Sequence, residues 1–162
     1  MKVLKFGGTS VGSVENMNAV IRLITDGEKK LVVLSAMSGT TNALVEIADY
    51  LYKKNKDAAR IQINKLEKKY EDVVKSLYRS EESKKAGFSV IREAFDTIKS
   101  FTSGEFSEVG EKTILAQGEL ISTALFTQLM LENGFDAKLL PALDFMSIDE
   151  DKAADLLSLI HI

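Results

Sequence analysis

The sequence predicts an α/β fold around a mainly parallel sheet, and three observations carry that expectation. Short apolar runs, VLKF at 3–6 and KKLVVLS at 29–35, alternate with segments of helical period. Each run leads directly into a loop of glycines and small hydroxyls, which is where open α/β sheets place their ligands. The centre of the second run is apolar without alternation, the pattern of a parallel strand covered on both faces.

Taken in order, residues 3–6 read as a first strand, stopped by Gly7 and Gly8. Residues 14–24 follow as a helix with Val14, Met17, Ile21 and Ile24 on one face, ended by Asp26 and Gly27. The strand at 29–35 gives way to the loop AMSGTTN and then to a helix over 43–54. Further on, Ile63, Leu66, Tyr70, Val73 and Leu77 recur at steps of three and four, and Phe88, Ile91, Phe95 and Ile98 repeat the pattern. These are two long amphipathic helices, expected as an antiparallel pair capping the sheet. The lysines at 53, 54, 56, 65, 68 and 69 are interleaved with Glu67, Glu71 and Asp72, so they read as a solvated helix face rather than a basic patch. Ser103 and Gly104 break the helical run, and the least polar helix spans 110–132 with Asn133 and Gly134 as its stop. A third strand is expected over 136–140, closed by Pro141, the only proline.

At 162 residues, 45% hydrophobic and 28% charged, the chain is long and apolar enough to bury a core. Its net charge of −3 gives no basic footprint for nucleic acid. The absence of cysteine excludes disulfides, thiol catalysis and zinc–thiolate sites. A single histidine, His161, has no partner for a metal or triad role. The apolar start is interrupted by Gly7 and Gly8 too soon for a secretory signal, and no run reaches the roughly 18 uninterrupted apolar residues of a membrane span. The expectation is a cytoplasmic protein that handles small molecules.

Three stretches carry chemistry. In VLKFGGTSVG, Lys5 lies inside an apolar run, where an unpaired ammonium is costly unless an anion compensates it. Gly7 and Gly8 leave backbone N–H groups bare, Thr9 and Ser10 add hydroxyls, and a helix begins soon after. That combination makes a phosphate-binding mouth; the bland alternative is an edge lysine beside an ordinary tight turn. Neither GxxxxGK[ST] nor GxGxxG is present, so the standard phosphate and dinucleotide loops are excluded. In SAMSGTTN, Ser35, Ser38, Thr40, Thr41 and Asn42 surround Gly39; they suit a carboxylate or phosphate, and equally a turn with a helix cap. In AQGELIS, Glu119 falls on a stripe with Leu115, Ser122, Phe126 and Met130, so its carboxylate faces an apolar setting and needs a cation or several donors. A salt bridge to a lysine is the structural alternative. Gly118 beside it lowers helix propensity by about 1 kcal/mol relative to alanine, a sign that something packs closely there.

Together, VLKFGGTSVG, VVLSAMSGTTNALV and LAQGELIS, in this order, resemble the N-terminal half of the catalytic domain of aspartokinases, members of the amino acid kinase family. The likeness runs from residue 1 to about 147, with the middle helices variable. It implies a three-layer α/β/α sandwich, incomplete at its C-terminal side, over 1–148, followed by a tail of uncertain origin over 149–162. It further implies phosphorylation of the aspartate side chain by ATP, giving 4-phosphoaspartate. On that resemblance Lys5 is catalytic and contacts the transferring phosphoryl group, while Gly7, Gly8, Thr9 and Ser10 line the ATP phosphates. Ser35, Thr41 and Glu119 would hold aspartate, with Glu119 facing its ammonium group. Magnesium would bind through the nucleotide phosphates, with no metal ligand from the protein itself. The partners implied are aspartate and ATP, not nucleic acid or membrane, with homo-oligomers in a longer protein. By itself the chain is expected to be inactive, because the family's adenine and metal-phosphate loops come later, and prone to associate, because its strands would lack parallel neighbours and expose apolar edges and faces. The alternatives are a kinase of glutamate, acetylglutamate, carbamate or UMP, or a non-catalytic α/β fragment that packs against a partner.

Overall fold

Alternation decides the first strand. In Lys2–Phe6 (β1) Leu4 and Phe6 turn inward while Lys2, Val3 and Lys5 stay exposed. The structure, a computed structural model, describes residues 1–142. β1 pairs in parallel with Lys30–Leu34 (β2), with Lys2 opposite Lys30 and Phe6 opposite Leu34. Ser35 extends the ladder by donating its N–H to the Phe6 carbonyl at 3.0 Å. A parallel pair needs a crossover, and Val14–Ile24 (α1) supplies it. The Ser13 hydroxyl caps α1 by accepting the Asn16 N–H at 3.2 Å, and Met17, Val20, Ile21 and Ile24 are buried.

Four longer helices follow: Thr40–Tyr52 (α2), Lys56–Leu77 (α3), Glu81–Ser100 (α4) and Glu108–Glu132 (α5). Side chains of Asn55, Ser80 and Ser107 cap the last three. Glu132, at the end of α5, accepts the Ser80 N–H at 2.8 Å and the Ser80 hydroxyl at 2.9 Å, and so ties α5 to the start of α4. The helices close into a ring, with α2 against α3, α3 against α4, α4 against α5 and α5 back against α2. Tyr70 and Phe95 meet across α3 and α4 with ring centroids 6.1 Å apart. The α3–α4 pair therefore does not cap the sheet as expected. Its apolar stripes are used by α2 and α5, and α5 is the long helix that reaches β2. By length and composition α5 is apolar enough to cross a membrane. Its stripe of Ile114, Gly118, Ile121 and Leu125 is nonetheless buried inside the protein.

Three further sequence expectations are corrected. β2 is only half-buried from Lys30 to Val33, with Leu34 alone fully buried, so it is not a strand covered on both faces. Residues 136–140 form no strand. A strand exists only through a ladder, and among the described residues the sheet has two strands, β1 and β2. After α5 the chain turns through Gly134, at φ +80°, and Leu139 and Leu140 are left 39% and 51% exposed. α2 also begins earlier than expected, at Thr40, because Gly39 at φ +78° makes the turn that starts it. The expected boundary at 148, the tail 149–162 and His161 lie outside the described residues.

Candidate active site at the ends of the two strands

The loop after β1 and the loop after β2 touch, and glycine is what lets them. A Cβ on Gly8 would lie 2.7 Å from the Ala36 carbonyl oxygen. One on Gly12 would lie 2.9 Å from both the Gly8 carbonyl oxygen and the Ser38 Cβ. Gly7 is different: a Cβ there would meet nothing within 4 Å, so its bare backbone faces open space. Sequence alone treats the two neighbours alike; here Gly8 serves packing and Gly7 access. The Ser10 N–H closes the turn on the Gly7 carbonyl at 2.9 Å. The Asn16 side-chain amide reaches back from α1 to the Thr9 carbonyl at 2.7 Å, holding the loop to the helix start.

The second loop is gripped from the other side by α5. The Ser122 hydroxyl donates to the Ser35 carbonyl at 2.8 Å, and the Ala36 N–H donates to Glu119 Oε1 at 3.4 Å. A Cβ on Gly118 would lie 2.8 Å from Ala36 Cβ and 3.2 Å from Thr40 Cγ2, which is the close packing its sequence position foretold. Overpacking of this kind costs about 1–3 kcal/mol, against about 1 kcal/mol gained in helix propensity. Gly118→Ala is therefore expected to lower the melting temperature. An unchanged or raised melting temperature would show that the 36–40 loop yields.

Glu119 is the chemically distinctive group. Burial pushes its carboxyl above the usual value of 4.5, and the hydrogen bond from Ala36 only partly opposes this. Among the described residues it joins no ion pair, so the lysine salt bridge weighed as an alternative is not formed. Among the described residues its backbone hydrogen bonds, the one from Ala36 being long, leave part of its acceptor capacity free.

Lys5 departs from expectation. It is exposed, opposite Val33 in the ladder, so the penalty for a buried ammonium does not arise. What remains is position, one residue before the strand end that leads into Gly7. Thr9 is exposed and Ser10, Ser35 and Thr41 are half-buried. The structure thus brings Gly8, Ser35, Thr41 and Glu119 around one loop, with Lys5, Gly7, Thr9 and Ser10 on the strand and loop beside it. Two residues of α3 that sequence reading assigned elsewhere also reach this loop. The Tyr70 hydroxyl pairs with Thr40 Oγ1 at 2.8 Å, and Lys69 Nζ donates to the Ser38 carbonyl at 2.8 Å. The other lysines behave as the solvated face expected, for example Lys68 with Glu71 and Asp72.

The two strand-end loops, with their bare amides and hydroxyls, therefore meet at Ala36 beside a carboxylate that joins no ion pair among the described residues. The chain belongs to the amino acid kinase family, whose sequence profile matches residues 1–160. Among its relatives, the aspartokinase of Chlamydia pneumoniae is 29% identical over 148 residues, covering 91% of this chain and 31% of that protein. The lysine-sensitive aspartokinase 3 of Escherichia coli K12 is 32% identical over 143 residues, covering 84% of this chain and 30% of its own length. The crystal structure of E. coli aspartokinase III with aspartate and ADP superposes with a TM-score of 0.65 at 26% identity, over 83% of this chain and 29% of that one. The chain therefore spans about 30% of the length of these relatives.

Proposed function

We propose that this chain carries the phosphate and aspartate subsites of an aspartate kinase. The reaction transfers the γ-phosphoryl group of ATP to the aspartate side chain, giving 4-phosphoaspartate at the entry to lysine, threonine and methionine biosynthesis. The observation that carries the reading is the convergence of the two strand-end loops and Glu119 on Ala36. Similarity to a protein solved with aspartate and ADP supports the choice of ligands.

In this reading Gly7, Gly8, Thr9 and Ser10 hold the phosphates through bare N–H groups and hydroxyls, and Lys5 meets the phosphoryl group in transit. Ser35 and Thr41 bind the substrate's carboxylates, and Glu119 takes its ammonium group. A side-chain carboxylate oxygen forms the new bond to the γ-phosphorus while the bond to the β,γ-bridging oxygen breaks, and ADP departs with that electron pair. No covalent help from the protein is needed, so positioning and charge neutralisation supply the rate. The 5–12 loop has no carboxylate, which fits a magnesium ion carried on the nucleotide phosphates. That ion supplies further neutralisation of phosphate charge. A cytoplasmic setting, where ATP and free amino acids meet, and homo-oligomers of a longer protein belong to the same proposal.

Binding, rather than turnover, is the test that suits this chain. Calorimetric titration with L-aspartate in the presence of ATP and magnesium is expected to give saturable heat. Tighter binding of glutamate, N-acetylglutamate, carbamate or UMP would move the chain to another branch of the family. Heat from none of them would favour a fragment that only packs against a partner.

A further inference from the structure

The 38–41 turn is held from a direction the phosphotransfer reading does not explain. Gly39 opens α2 in the left-handed region, and no side chain caps the helix start. Such a turn is free to shift unless something outside it fixes it. Thr40, the first residue of α2, is fully buried and gripped twice. Its methyl group faces Gly118 of α5, and its hydroxyl pairs with the fully buried Tyr70 of α3 at 2.8 Å. One residue earlier in α3, Lys69 donates to the Ser38 carbonyl at 2.8 Å, and its Nζ lies 3.8 Å from where a Cβ on Gly39 would be. Two adjacent α3 residues therefore bracket Gly39, one bonded to the residue before it and one to the residue after. Thr41, assigned above to substrate, is the next residue in the chain.

We propose that α3 is a clamp on the substrate loop, with Tyr70 and Lys69 as positioning residues that hold the 38–41 turn so that Thr41 is presented to the ligand. In this role both act on the ligand only through the turn they hold. The assignment of Thr41 rests on the function proposed above; the clamp itself does not. Tyr70→Phe keeps the ring against Phe95 and removes only the hydroxyl. Thr40→Val removes the partner hydroxyl at constant shape, and Thr40→Ser retains it. Lys69→Met keeps the stem and removes the donor.

Hydrogen exchange reads the clamp directly, through the amides of Thr40 and Ala43, which bond to the Met37 and Gly39 carbonyls. Tyr70→Phe and Thr40→Val are each expected to speed exchange at these amides by about three- to tenfold, the loss of one hydrogen bond. Amides in the middle of α4 should keep their protection. Lys69→Met should speed exchange at the same amides, Thr40→Ser should stay close to the parent chain, and the Tyr70→Phe/Thr40→Val double variant should be no faster than the faster single. L-Aspartate affinity should fall by a similar factor in the clamp variants, with ATP affinity unchanged. If the local exchange rates do not move, or move together with α4, the clamp is wrong. If they move as stated while the parent chain binds no aspartate, the clamp stands and the aspartate assignment falls.

Discussion

Glu119→Ala is expected to weaken L-aspartate binding by about 2–5 kcal/mol, the cost of deleting one member of a desolvated charge pair. The structure supplies the reason this residue should be so sensitive. Its carboxylate is half-buried, takes a long 3.4 Å hydrogen bond from Ala36 and joins no ion pair among the described residues. Burial raises its pKa above 4.5, so the folded protein holds the proton more tightly than the unfolded chain does. The stability this contributes is present below pH 4.5 and is lost as pH rises through the raised folded value. At neutral pH the ionised Glu119 is thus a cost to the fold, which in the proposed function the substrate's ammonium group offsets. Two consequences separate a ligand-binding carboxylate from a structural one. Glu119→Gln, which keeps shape and acceptor, should melt at the same temperature or higher at pH 7 while losing aspartate affinity. In the parent chain, aspartate binding should release a proton and weaken as pH falls through the raised pKa. Calorimetry in buffers of different ionisation enthalpy measures both. Unchanged aspartate affinity in Glu119→Ala, or a large loss of melting temperature in Glu119→Gln, would make Glu119 a structural residue.

Lys5→Ala should act on the other half of the reaction. Its effect is expected in kcat, lowered by on the order of 10² or more, with a smaller change in the KM for aspartate. In the proposed function its ammonium group is a point charge whose contact would strengthen as negative charge moves onto the phosphoryl oxygens. Lys5 is exposed and unpaired with any described carboxylate, so its removal should change stability by less than about 0.5 kcal/mol. Coupled ADP release, in a protein that carries this segment with the remainder of an amino acid kinase domain, gives the kcat. A rise in KM with kcat unchanged would place Lys5 in ground-state binding, and a fall in stability would make it a structural residue of β1.

What the sequence by itself determined is the set of local patterns. The apolar face of α1 over 14–24, the stripes of α3 and α4, and the stop of α5 at Asn133 and Gly134 follow from a period of 3.6 and from capping chemistry, which neighbouring residues fix alone. The three stretches of the candidate site stand out in the sequence for the same reason, since each is contiguous. Tertiary structure decided everything that depends on a partner far along the chain. Residues 136–140 have strand-like composition and no ladder, because a strand needs another strand's edge. Lys5 looked buried and is exposed, because cover on a sheet face comes from helices the strand cannot choose. Gly8 and Gly7 are identical in sequence, yet only Gly8 lies 2.7 Å, as a Cβ would be placed, from a carbonyl oxygen 28 positions away. Tyr70 reads as one more apolar step of α3, because periodicity records which face a side chain occupies and not what its hydroxyl meets there.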